Sequence, residues 1–173
     1  RFREKHGQAP VTCRRAPSLK ALLASAHCVS IHTVLDDSTH HLIDARQLAV
    51  MKPDAILINT SRGPVIDESA MVAHCREHPR FRAGLDVFEH EPDMAPGLAE
   101  LDNVVIVPHI ASATGWTREG MAVLAACNVA GLLHGYPLWR EATVLPFLDD
   151  PAPRAVPSIV NARELGLAPN GDL

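Results

Sequence analysis

The chain has 173 residues, 47% of them apolar, with a formal net charge of −4 at pH 7. That is enough apolar surface for a packed core and too much for a disordered chain, and the scattered arginines give no nucleic-acid footprint. No run reaches the roughly 18 apolar residues of a membrane span, and the four cysteines (Cys13, Cys28, Cys75, Cys127) stand too far apart for a disulfide framework, as expected of a soluble protein in a reducing intracellular compartment.

Residues 1–17 are basic and polar with little periodicity. Ser18 is suited to cap a short helix running to Ala26, and a buried strand is expected over 28–32. Asp44 caps a predicted helix that stops at Lys52-Pro53, and 55–59 reads as a second strand. Asp67 caps a predicted helix of about three turns ending before Pro79, with Met71, Val72 and Cys75 on its apolar face. Strands are expected over 81–87 and 103–107, the segment between them carrying Pro92 and Pro96 and little helical pattern. A long helix is predicted from Thr114 to His134, with Met121, Leu124, Ala125, Val129 and Leu132 as its apolar stripe, ended by Gly135-Tyr136-Pro137. Residues 138–173 read as a proline-rich tail that wraps on something else, with a short helix at 161–166.

The apolar strands alternate with helices and look buried on both faces, which argues an α/β fold built on a parallel sheet. Ligands of such sheets sit beyond the carboxyl ends of the strands. Four polar residues stand at those ends: His32, Arg62, Asp86 and His109. A guanidinium matches a carboxylate with two parallel hydrogen bonds. An imidazole can give and take a proton near neutral pH, and a carboxylate such as Glu91 can favour its protonated form and fix its ring. Asp86 could bond a cofactor amide or cap a turn. Taken one at a time, each also reads as an ordinary loop or strand-end side chain. His74 and His78 have a chelating i, i+4 spacing but no third ligand, so a solvated helix face is expected; His40-His41 and Asp149-Asp150 read as surface pairs, and no metal site is expected. No two of the ten glycines are two apart, so the phosphate-binding G-x-G-x-x-G turn does not occur.

Three segments together resemble the D-isomer-specific 2-hydroxyacid dehydrogenases. Residues 51–67, MKPDAILINTSRGPVID, resemble a signature of that family; 84–92, GLDVFEHEP, resemble the segment with its catalytic glutamate; and 107–112, VPHIAS, resemble the segment with its catalytic histidine. The order and spacing match too: 29 residues from Arg62 to Glu91 and 18 from Glu91 to His109. Within the family the chain is most similar to plant and algal hydroxypyruvate reductases, through Trp116 to Ala122, Gly135 to Trp139 and Pro157 to Leu167. Two features depart from the pattern. His32 is followed by Thr33-Val34 where the family usually has a proline, and the C-terminus Gly171-Asp172-Leu173 is not the S-K-L peroxisomal address.

The resemblance implies a Rossmann-like fold. Residues 1–112 would be the distal part of an NAD-binding domain, and 113–173 a connecting helix with an extended tail that would pack on a substrate domain. The chain begins at Arg1, shows no signal peptide, and reads as the C-terminal half of such a protein with its start missing. The resemblance makes Arg62, Glu91 and His109 catalytic. It places Thr60, Ser61, Arg62, Asp86, His109, Ile110, Ala111 and Ser112 along the nicotinamide half of an NAD or NADP cofactor, with NADH favoured. The implied partners are a small 2-keto or 2-hydroxy acid, with hydroxypyruvate or glyoxylate first, and a second copy of the full-length protein; neither nucleic acid nor membrane is implied. Two rivals remain open: a non-catalytic NAD-sensing corepressor on the same fold, and a truncated product without activity.

Overall fold

The computed structural model describes residues 13–139, 144–149 and 155–156. The chain divides into two compact units, one ending at Ile110 and one beginning at Ala111. The first unit carries a four-stranded parallel sheet in sequential order, β1 (Cys28–Ile31), β2 (Ile56–Asn59), β3 (Arg82–Leu85) and β4 (Val104–Ile106). Ile31 lies opposite Asn59, Asn59 opposite Leu85, and Leu85 opposite Ile106. The strands therefore finish level, and the residues that follow them share one rim.

Three helices link or precede the strands, and each starts where a short polar side chain takes up orphan N–H groups. The Ser18 hydroxyl accepts from Ala21 N–H and opens α1 (Leu19–Ser25). Asp44 accepts from Arg46 and Gln47 and opens α2 (Ala45–Ala49). Asp67 accepts from Ala70 N–H at 2.9 Å and opens α3 (Glu68–Glu77). Leu23, Ile43, Leu48, Leu57, Val65, Ile66, Met71 and Phe81 are fully buried in one core. Between β3 and β4 the only helical piece is a short 3-10 turn, Leu98–Glu100.

The expectation of strands buried on both faces is corrected. Val29, Ile31, Leu57, Asn59, Ala83 and Leu85 are buried, whereas Cys28, Ser30, Ile56 and Arg82 are exposed. Among the described residues of this unit one sheet face is packed, and the other is partly exposed, with Ile56 and Val105 on its surface and Ile58 and Gly84 half-buried.

The second unit is built on α4 (Gly115–Leu133), which the Thr114 hydroxyl caps through Thr117 N–H at 3.2 Å. Gly135, at φ +67, turns the chain out of it. The predicted apolar stripe is also corrected: Met121 is 51% and Val129 59% exposed, and the buried positions are Cys127 and Gly131, with Val123 and Leu124 packed beside them. The helix is apolar on most sides, so periodicity does not choose a face. Small residues do: Gly131 lies against Val156 and the Ala155 carbonyl, where a Cβ would come within 2.9 Å of the valine.

The described part of the tail is not wholly extended. It contains α5 (Leu145–Asp149), whose Phe147 is buried and meets Trp139 edge to face at 5.0 Å. Trp139 N–H donates to Val156 O and Val156 N–H to Pro137 O, both at 2.9 Å. The helix expected at 161–166, residues 1–12 and Asp150 lie outside the described residues. No helix among the described residues is long and apolar enough to cross a membrane.

Candidate active site

The rim begins with the turn after β2. Asn59 is buried, and its carboxamide writes the turn: Nδ2 donates to Arg62 O at 2.9 Å, while Oδ1 accepts from Ser61 N–H and Ser61 Oγ, each at 3.0 Å. Thr60 and Arg62 are thereby held at the exposed end of the strand. The Arg62 guanidinium donates through Nη1 to Ser61 O at 2.6 Å. Gly63 opens a 3-10 turn directly against the Phe88 carbonyl, which a Cβ would strike.

Asp86 directly follows β3 and joins its neighbours on both sides. Its N–H donates to Asn59 O at 3.0 Å, and its carboxylate, on a residue only 2% exposed, accepts from Ile110 N–H at 2.6 Å. His109 sits between these ties. Its N–H donates to Val107 O at 3.1 Å, and its φ of +52 lies in the left-handed region that side chains other than glycine seldom adopt.

Glu91 completes the arrangement. Its Oε1 accepts from Phe88 N–H at 3.0 Å and its Oε2 lies 2.8 Å from His109 Nδ1. The His109 hydrogen bond, then the Phe88 N–H, hold the Glu91 carboxyl below its ordinary value, and the Arg62 charge adds to the effect. A carboxylate only accepts, so Nδ1 carries the hydrogen of this contact and Nε2 is the ring nitrogen left outside it. Beside the pair lies a cavity of about 370 Å³ lined by Phe88, Glu91, Pro92, Pro108 and His109. The Glu91–Pro92 peptide bond is cis.

The first unit thus gathers Thr60, Ser61, Arg62, Asp86, Glu91, His109 and Ile110 on the strand-end rim. Ala111 and Ser112 are exposed residues at the start of the second unit. His32 is also at the rim, its Nε2 2.8 Å from Ser30 Oγ.

Other expectations change. His41 is not a plain surface residue: it is half-buried and its Nε2 lies 2.7 Å from Glu89 Oε1, 48 residues away, with the exposed His40 ring stacked on it at 4.1 Å. His40, His41 and Glu89 bring their ligating atoms within 4.8 Å of one another, and the contact between His41 and Glu89 closes as a direct hydrogen bond. Burial raises the Glu89 carboxyl, but the bonds from His41 and from the Glu68 N–H outweigh it and the net shift is downward. His74 and His78 stack at 4.1 Å, and His74 meets the Phe81 edge at 4.7 Å, so this helix face is half-buried rather than solvated.

Sequence reasoning missed Asn59 and Glu68. Glu68 is buried, and its carboxylate accepts from the N–H groups of Glu89 and Ala95. The signal for Asn59 was a polar residue closing an apolar strand. Glu68 gave none, because an acid in the first turn of a helix is ordinary.

Comparison with known proteins gives this geometry its relatives. Residues 1–111 match the family model described as D-isomer specific 2-hydroxyacid dehydrogenase, NAD binding domain. The chain is 58% identical over 170 residues to a glycerate dehydrogenase of Cucumis sativus, covering 96% of this chain. It is 56% identical over 169 residues to a peroxisomal glycerate dehydrogenase of Arabidopsis thaliana, again covering 96% of this chain. It spans 44% of the length of each of these two relatives. Among solved structures, a protein of Thermus thermophilus superimposes with a TM-score of 0.65 at 43% identity, over 72% of this chain and 41% of that one. A parallel sheet whose rim carries these three motifs, and a match over residues 1–111, lead to one conclusion: the chain belongs to the D-isomer specific 2-hydroxyacid dehydrogenase family, by way of its NAD binding domain.

Proposed function

We propose that this chain carries the acid–base pair and the carboxylate-binding arginine of a reductase that interconverts a 2-keto acid and a D-2-hydroxy acid with NADH or NADPH. The reading rests on one observation, the 2.8 Å contact of Glu91 Oε2 with His109 Nδ1 at the rim that also presents Arg62. Hydroxypyruvate is the keto acid we favour, because oxidising glycerate at C2 gives it and two relatives are named glycerate dehydrogenases. Glyoxylate is the smaller alternative.

The cavity suits a flat ring and a small acid, since Phe88, Pro92 and Pro108 supply apolar wall and Glu91 with His109 the polar function. Thr60, Ser61, Arg62, Asp86, His109, Ile110, Ala111 and Ser112 would hold the nicotinamide half of the cofactor. That cofactor, when bound, supplies the hydride for C2 of the keto acid. Arg62 holds the substrate carboxylate through its planar fork. His109 donates the Nε2 proton to the keto oxygen on reduction and takes it back on oxidation, and Glu91 stabilises the imidazolium and fixes the ring. A positioned acid of this kind contributes about 10²–10⁴-fold. We also propose that the full-length protein is a homodimer.

The test follows NADH or NADPH oxidation with hydroxypyruvate in a full-length protein carrying this sequence. Arg62→Ala and His109→Gln should each lower kcat/KM by about 10²–10⁴-fold, given roughly 1.5–3 kcal/mol per charged hydrogen bond. Near wild-type turnover in Arg62→Ala would remove the arginine from the mechanism. No turnover at all in the unaltered full-length protein, with dinucleotide still bound, would favour the sensing role over the enzymatic one. The 173-residue chain alone is expected to be inactive, since it contains no glycine-rich phosphate turn.

A further inference from the structure

The segment that carries Glu91 has no helix or strand of its own between β3 and the turn at Leu98–Glu100. Its internal ties are few: Asp93 N–H donates to His90 O at 2.9 Å, and Glu91 Oε1 accepts from Phe88 N–H at 3.0 Å. Yet two points on either side of Glu91 converge on one buried side chain. Glu68 is 3% exposed; its Oε1 accepts from Glu89 N–H at 2.7 Å and its Oε2 from Ala95 N–H at 3.0 Å. The tie is returned, since Glu68 N–H donates to Glu89 Oε2 at 3.3 Å, and Glu89 Oε1 is braced by His41 Nε2 at 2.7 Å.

A buried carboxylate is costly unless its oxygens are used. Here both are used on the same short loop, from a residue whose own backbone is fixed in the first turn of α3. Charge-assisted bonds to backbone N–H groups are among the stronger ones in a protein. A loop pinned in this way at Glu89 and Ala95 leaves Glu91 little freedom to drift from the His109 ring.

We propose that Glu68 is a positioning residue for the Glu91–His109 pair, holding Glu89 and Ala95 so that the loop between them presents Glu91 to the imidazole. Its part in catalysis rests on the reading of that pair as the reacting acid and its support. Its structural part does not, and the two can be tested apart.

The primary measurement is the pH titration of the Glu91 side-chain carboxyl by ¹³C NMR in the 173-residue chain, unaltered and carrying Glu68→Gln. An amide puts an –NH₂ group towards one of the two N–H donors, so at least one tie is lost. The Glu91 carboxyl is then expected to titrate at higher pH, towards its ordinary value, with faster hydrogen exchange at the Glu89 and Ala95 amides. A folded Glu68→Gln chain in which Glu91 titrates as before overturns the proposal, because a merely structural role would lower stability and leave that titration in place. If Gln is not tolerated, Glu68→Asp keeps the charge, shortens the reach by one methylene and is read the same way. A chain that unfolds with both substitutions makes Glu68 a folding residue and also overturns the assignment. In a full-length protein Glu68→Gln should lower kcat about 10–10²-fold with KM changed less than about two-fold, as expected of a misplaced catalytic group. An unaltered protein without turnover counts against the proposed reaction, while the NMR result still decides the role of Glu68.

Discussion

Gly63 and Phe88 meet backbone to backbone, so closely that a Cβ on the glycine would fall on the phenylalanine carbonyl. The turn presenting Arg62 is thereby pressed against the loop carrying Glu91. Space, rather than a positive φ, is what demands glycine here. Gly63→Ala must push two backbones apart, and overpacking of this sort costs about 1–3 kcal/mol or more. The expected outcome is a lower urea midpoint with an unchanged m-value, together with a Glu91 carboxyl that titrates closer to its ordinary value as the Arg62 charge moves away. Equal midpoints for Gly63→Ala and the parent chain would show that the contact yields without cost.

Asn103 closes the crossover from α3 to β3. Its Nδ2 donates to Phe81 O at 2.8 Å, Cys75 O at 3.0 Å and His78 O at 3.3 Å. Asn103→Ala takes this donor from the half-buried carbonyls of Phe81 and Cys75, while His78 O keeps the Phe81 N–H at 2.9 Å, and should cost about 1–3 kcal/mol. Asn103→Asp should cost more at pH 7, because a carboxylate would then face three carbonyl oxygens. Chemical denaturation of the two variants side by side checks the order; an aspartate as stable as the asparagine would refute it.

The His74 ring disfavours its charged form. Burial, then the neighbouring His78, lower its value below the ordinary 6.5, and its Nε2 is buried with no hydrogen-bond partner. The unfolded chain therefore takes up a proton more readily than the folded one. Stability from this site is present above the unfolded value and is lost as the pH falls from about 6.5 through the folded value. Melting temperature should decline over that range, and His74→Leu should flatten the decline. An identical pH dependence in the variant would exclude His74 as its source.

Cys75 lies on the buried face of α3, and burial pushes its thiol up to about 11. Near neutral pH almost none of it is thiolate, the reactive form. In the native chain the exposed Cys13 and Cys28 should react with a thiol reagent at pH 8 well before Cys75. Cys75 should react at the global unfolding rate or when denaturant is added. Peptide mapping after timed alkylation separates the sites, and early modification of Cys75 would contradict its burial.

Much of the fold was readable because its signals are local. Ser18, Asp44, Asp67 and Thr114 each cap the helix that follows within two or three residues, and Gly135 ends the longest one. Strand positions followed from apolar runs, and the rim residues from where those runs stop. What could not be read were choices among equivalent surfaces. The helix α4 is apolar on most sides, and only its contact with Ala155, Val156 and Phe147 shows which side is covered. The strands looked apolar enough for two covers, yet the helices of this unit pack on one face.

The site divides in the same way. Arg62, Glu91 and His109 could be named from the sequence, because the residue types and intervals of their motifs are characters in a string. Their meeting was not written there. A bond spanning 18 residues between Glu91 and His109, one spanning 48 between His41 and Glu89, and the hold of Glu68 on Glu89 and Ala95 exist only once the strands finish level and the loops are packed. Hydrogen bonds within four residues are fixed by the local chain, whereas those across the fold are fixed by burial, which no single segment contains.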